Sequence, residues 1–122
     1  MFWKKKETNT VEVGWEHLTE ASQLETIIEE SKEKPVLIYK HSTRCSISSM
    51  ALDRLERSWD EEGKAIKPYF LDLIAYRNIS NIVAEMFNVY HQSPQIIVIK
   101  DGKAVFDESH MGISFQALKN AI

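Results

Sequence analysis

One side chain in this sequence can make and break a covalent bond with sulfur: Cys45, the only cysteine among 122 residues. It lies in His41-Ser42-Thr43-Arg44-Cys45-Ser46-Ile47-Ser48-Ser49, a polar run that follows the apolar Val36-Leu37-Ile38-Tyr39. A free cysteine is by default a small buried hydrophobe, but this setting argues for chemistry. The run opens a helix, whose unpaired N–H groups and positive dipole end favour an anion, here the thiolate, by about 0.3–1 kcal/mol. Arg44 adds an adjacent cation, and the Ser48 hydroxyl, one turn on, is placed to donate a hydrogen bond. Cys45-Ser46-Ile47-Ser48 has the spacing of a Cys-x-x-Cys redox pair with serine in the second place. With no other cysteine present, any disulfide must join Cys45 to an external sulfur, which selects a monothiol mechanism.

The elements that position Cys45 follow from periodicity. Ser22-Gln23-Leu24-Glu25 has capping-box spacing, and Leu24, Ile27 and Ile28 give an apolar face, so a helix is predicted from about Ser22 to Ser31. Lys34-Pro35 ends it. Val36–Tyr39, four apolar residues between breakers, reads as a strand buried on both faces. Ile47, Ala51, Leu55 and Trp59 recur at helical spacing after Cys45, with Gly63 as the expected stop. A second strand is predicted over about Lys67 to Leu73 and a helix over about Asn78 to Phe87. Ser93-Pro94 leads into the buried-looking Gln95–Ile99, and Asp101-Gly102 signals a hairpin returning through Lys103–Phe106. A last helix begins near Ser114. A leading strand near Val11-Glu12-Val13 is too short to assign. Strands alternating with helices imply parallel pairing, the terminal hairpin adds antiparallel edges, and the class is α/β with a mixed central sheet flanked by helices. Open α/β sheets bind ligands beyond the carboxyl ends of their strands, which is where Cys45 falls.

Composition bounds the rest. The length fits one domain, expected over 15–122 after an extension of residues 1–14, and a hydrophobic share of 43% supports a core without staples. The net charge of −3 and the lack of a basic stripe argue against nucleic acid. Lys4-Lys5-Lys6 is not followed by the apolar run of a secretory signal, and no stretch approaches a membrane span. Absence of cysteine pairs suits a reducing compartment, so a cytoplasmic monomer or weak dimer is expected. His17, His41, His91 and His110 show no metal-ligand spacing with Cys45. His41 is expected to be structural, and Asp72 and Glu85 to be turn and surface residues.

Taken together, Tyr39 to Ser48, Pro94 before the buried strand and the Asp101-Gly102 hairpin resemble the thioredoxin superfamily. That resemblance implies a cis proline facing the cysteine, with Ser93-Pro94 docking the disulfide partner. Lys40-His41-Ser42-Thr43-Arg44-Cys45, Arg77-Asn78-Ile79-Ser80-Asn81 and His91-Gln92-Ser93-Pro94-Gln95 are more specifically similar to the monothiol bacilliredoxin family. Ser46 departs from it, because the family usually has proline in a Cys-Pro-Ile-Ser motif. Such a resemblance implies removal of a low-molecular-weight, bacillithiol-like thiol from protein mixed disulfides. Cys45 would then attack and Ser48 tune it, with S-thiolated client proteins as partners and the small thiol as co-substrate rather than a tightly bound cofactor. Arg44, His91 and Arg77 would help to hold that thiol. Two other readings use the same residues. Cys-x-x-Ser is shared with monothiol glutaredoxins, which hold an iron–sulfur cluster, although Ser46-Ile47 replaces their Gly-Phe. A docking module of thioredoxin shape without turnover would keep the surface and lose the exchange.

Overall fold

The computed structural model describes residues 12–122; the Met1–Lys6 segment and Val11, on which two of the sequence expectations fall, lie outside them. The strands are β1 (Glu16–His17), β2 (Val36–His41), β3 (Lys67–Asp72), β4 (Gln95–Lys100) and β5 (Lys103–Ser109). The helices are α1 (Gln23–Glu30), α2 (Ser46–Ser58), α3 (Arg77–Met86) and α4 (Phe115–Ala121). The sheet runs β1-β3-β2-β4-β5. β2 is parallel to β3 and antiparallel to β4, and β4 is antiparallel to β5. The mixed α/β sheet is thus as read from the sequence.

β2 is the spine of the molecule, and all six of its residues are buried. Its side chains alternate between two cores. Val36 and Ile38 join Leu24, Ile27, Ile79 and Val83 on the α1/α3 side. Leu37 and Tyr39 join Ala51, Leu55, Trp59, Phe115 and Leu118 on the α2/α4 side. The next two residues, Lys40 and His41, continue that alternation beyond the apolar run.

Three local expectations change. Ser22 has helical backbone angles and makes no capping bond; instead Gln23 Oε1 accepts from the N–H groups of Thr19 and Glu20. The amide reaches the helix start better because the chain enters α1 already turning. Gly63 does not stop α2, which ends at Ser58; it lies in a 3-10 turn over Glu61–Ala65. There it is a close-approach glycine, since a side chain would run into the Trp59 indole. Finally, α3 separates β3 from β4, yet β4 runs antiparallel to its neighbour β2. Residues 89–94 carry the chain back to the end of the sheet where β2 and β3 finish, so Gln95 pairs with Lys40 and Pro94 enters at the Cys45 end.

The hairpin follows its signal. Asp101 and Gly102 both adopt positive φ, 52° and 78°, as a two-residue turn matched to strand twist requires. Ser114 caps α4 by accepting from the Ala117 N–H at 3.0 Å.

Candidate functional site

β2 ends at His41, three residues form a turn, and Cys45 is the N-cap of α2. Its backbone closes the turn: Cys45 N–H donates to Ser42 O at 3.2 Å, and Ser49 N–H donates to Cys45 O at 3.2 Å. The thiol is half-buried and free. Arg44 and Ser46 on either side are exposed. Ser46 occupies the first helical position, where proline is favoured because that N–H has no partner within the helix.

Ser48 is fully buried. Its Oγ accepts from Ser42 N–H at 3.1 Å and lies 2.8 Å from His41 Nδ1. The Tyr39 hydroxyl donates to Ser48 O at 3.0 Å, and burial pushes the Tyr39 phenol up, keeping it a donor. His41 is buried beside Phe70, ring centroids 5.3 Å apart. Burial pushes its pKa down, opposed by Asp72 and Glu56. A neutral His41 ring with its proton on Nε2 accepts the Ser48 O–H at Nδ1; the other tautomer donates to Ser48 and frees that hydroxyl proton. Ser48 is therefore bonded to the strand end as well as to its helix, and His41 is part of the cysteine turn.

On the other side, Pro94 is buried and the Ser93–Pro94 bond is cis, the isomer that the family resemblance implies. Ser93 Oγ is buried without a hydrogen-bond partner among the described residues. Gln95 fastens the loop before it: Oε1 accepts from Gln92 N–H at 3.3 Å and Nε2 donates to Tyr90 O at 2.9 Å. That loop carries His91, whose Nδ1 lies 3.3 Å from Lys40 Nζ and 3.4 Å from Ser80 Oγ. Arg77 opens α3 and is exposed. Burial, then Lys40, then Arg77 push the His91 pKa down.

The sequence match to the family model of monothiol bacilliredoxin BrxC spans residues 16–118. The chain belongs to the monothiol bacilliredoxin family. The fold agrees with that membership. One solved structure, described by its thioredoxin fold, is 31% identical with a TM-score of 0.71, over 86% of this chain and 90% of that one. The Malassezia sympodialis thioredoxin is 18% identical with a TM-score of 0.69, over 88% of this chain and 87% of its own. Mitochondrial thioredoxin 3 of Saccharomyces cerevisiae is 17% identical with a TM-score of 0.66, over 88% and 92%. This bacilliredoxin is a thioredoxin-fold redox thiol protein, and its one thiol is Cys45.

The structure gathers Arg44, Cys45 and Ser48 at the β2–α2 junction, sets Ser93 and Pro94 at the start of β4, and brings His91 onto Lys40, with Arg77 at the head of α3. His17 lies elsewhere, on β1, whereas His110, after β5, donates its N–H to Pro94 O at 3.2 Å. Asp72 is a turn residue, its Oδ1 accepting from Ile74 N–H at 3.0 Å; Glu85 is on the surface. Sequence reasoning missed Lys40 as a site residue. A lysine continuing a fully buried strand was the signal, since lysine is almost never fully buried unpaired. It also missed the apolar groove along α2, lined by Ile47, Met50, Ala51, Arg54, His110 and Met111. Among the described residues no helix is long and apolar enough to cross a membrane.

Proposed function

We propose that this bacilliredoxin removes a low-molecular-weight, bacillithiol-like thiol from mixed disulfides on client proteins. The observation that carries the reading is a half-buried free thiol at the head of α2, with a buried serine hydroxyl where a resolving sulfur would be. The Cys45 thiolate attacks the small-thiol sulfur of the mixed disulfide. That S–S bond breaks, the electron pair leaves on the client sulfur, which takes a proton, and a new S–S bond joins Cys45 to the small thiol. A second external thiolate then attacks the small-thiol sulfur, releases Cys45 as thiolate and departs as a low-molecular-weight disulfide.

Ser93 and Pro94, at the start of β4, dock the incoming disulfide. Ser48 holds the turn to β2, Arg44 stands beside the thiol on that turn, and His91 and Arg77 face the small thiol. Such chemistry belongs to a reducing compartment such as the cytoplasm.

The test uses protein purified without reductant from its host and then offered an S-thiolated client. Intact mass should show one reductant-labile adduct on Cys45, transferred from the client and absent in C45S. Client mixed disulfides left untouched, while a control redoxin reduces them, would overturn the reading.

A further inference from the structure

Among the described residues, three other than glycine hold positive φ: Asn88, Asp101 and His110. Asn88 follows the end of α3 and Asp101 turns the β4–β5 hairpin, places and residue types for which that conformation is ordinary. His110, at φ 52°, leads from β5 into a 3-10 turn over His110–Gly112, where glycine would take the angle without strain. Both backbone groups of His110 are held. Its N–H donates to Pro94 O at 3.2 Å, and its carbonyl accepts from Arg54 Nη2 at 3.3 Å and from Ile113 N–H at 3.3 Å. Arg54 Nη2 also donates to Ile113 O at 2.9 Å, so α2 grips both ends of the turn. A strained angle fixed by its surroundings in this way points to a use for the side chain.

That backbone leaves the imidazole exposed, on a groove that it shares with Ile47, Met50 and Arg54 of α2. Ile47 is in the first turn of α2, two residues beyond Cys45, and Pro94 docks the incoming disulfide. His110 therefore bridges the helix headed by the attacking sulfur and the loop that docks its target. His91 lies on the other flank, against Lys40 and Ser80 of α3.

We infer that the His110 imidazole N–H donates a hydrogen bond to the client sulfur as it leaves. The inference rests on the exchange reading above and adds what holds the leaving group. As Cys45 attacks the small-thiol sulfur, the S–S bond to the client breaks and the electron pair collects on the client sulfur. With the small thiol towards His91, that sulfur departs on the His110 side. An N–H donor gains most from a charged acceptor, and an alkyl thiolate, the poorer leaving group, gains more from it than an acidic thiol does. The client thiolate then takes its proton from water, and His110 keeps its own. Imidazole carries an N–H whether neutral or protonated, so the role holds in either charge state.

Two mixed disulfides of 2-mercaptoethanol test it. One joins it to a cysteinyl tripeptide blocked at both ends, the other to 2-thiopyridine, an acidic thiol that leaves readily. Rates are read as growth of the mercaptoethanol adduct on Cys45 by intact mass, each divided by the rate for a free model thiol. H110G relaxes the backbone and removes the donor, so it should resist urea at least as well as the wild type. It should nevertheless react with the peptide disulfide about tenfold more slowly, equivalent to about 1.4 kcal/mol. With the pyridyl disulfide it should stay within about twofold of the wild type. H110N tolerates positive φ and keeps an N–H donor, so it should recover to within about threefold of the wild type on the peptide. Equal losses on both disulfides, a wild-type rate for H110G on the peptide, or an H110N protein no faster than H110G overturns the role. No adduct from either disulfide, or a peptide adduct in place of the mercaptoethanol adduct, overturns the exchange reading instead.

Discussion

Ser48 Oγ stands 2.8 Å from His41 Nδ1 and takes the Ser42 N–H at 3.1 Å. The position that a resolving cysteine would fill is thus a buried polar joint between the end of β2 and the head of α2.

Removing that joint should be measurable in both stability and chemistry. S48A leaves the Ser42 N–H and the His41 nitrogen buried without their partner, a loss of about 1–3 kcal/mol in urea denaturation. S48C should instead supply an internal resolving thiol. The adduct on Cys45 should then stop accumulating, the small thiol should be released, and the protein should lose two hydrogens by mass as the internal disulfide forms. Persistence of the full adduct in S48C would show that the two positions are not in exchange geometry.

Burial of His41 also predicts a pH dependence. Its pKa is held below the ordinary value of about 6.5, so the unfolded chain binds the proton first as pH falls. The associated stability is complete above about 6.5 and is lost as pH drops from there through the folded value. His91, shifted in the same direction, adds to the slope. Chemical denaturation between pH 7.5 and pH 5 should show the decline, in a range set by that reference value, and H41N should flatten it. An unchanged slope in H41N would remove His41 from the account.

Lys40 makes the opposite kind of prediction. Exchanging an uncompensated buried ammonium for an apolar chain should stabilise, and K40M is expected to gain about 1–4 kcal/mol at neutral pH. Burial lowers the Lys40 pKa from 10.5 to about 8 in the folded state. The unfolded chain therefore holds the proton longer, and the wild type gains stability as pH rises from about 8 towards 10.5. The advantage of K40M should shrink over that interval. A K40M protein less stable than the wild type at pH 7 would contradict the unpaired charge.

Much of this was readable beforehand because it is governed by local pattern. Val36–Tyr39 announces a strand buried on both faces, and Asp101-Gly102 announces its hairpin. Cys45 falls at a strand-to-helix turn by sequence order alone. What the sequence hides is set by tertiary contact. Nothing local says that Gln23 rather than Ser22 caps the entry to α1, or that Gly63 must admit the Trp59 indole. The direction of β4 depends on how residues 89–94 return after α3. The partners of Lys40, Ser80 and His91, are 40 and 51 residues away, beyond any periodicity.

The alternation along β2 carries a last consequence. Lys40 and His41 are neighbours in sequence but serve opposite faces, one behind the His91 loop and the other under the cysteine turn. Slipping the strand by one residue would send every side chain to the wrong face. The ammonium would enter the aromatic layer around Phe70 and the imidazole would be lost from Ser48. The ladder that pairs Lys40 with Leu71 and Gln95 therefore acts as an alignment gauge, seating the ammonium behind the His91 loop and the imidazole under the cysteine turn in one register.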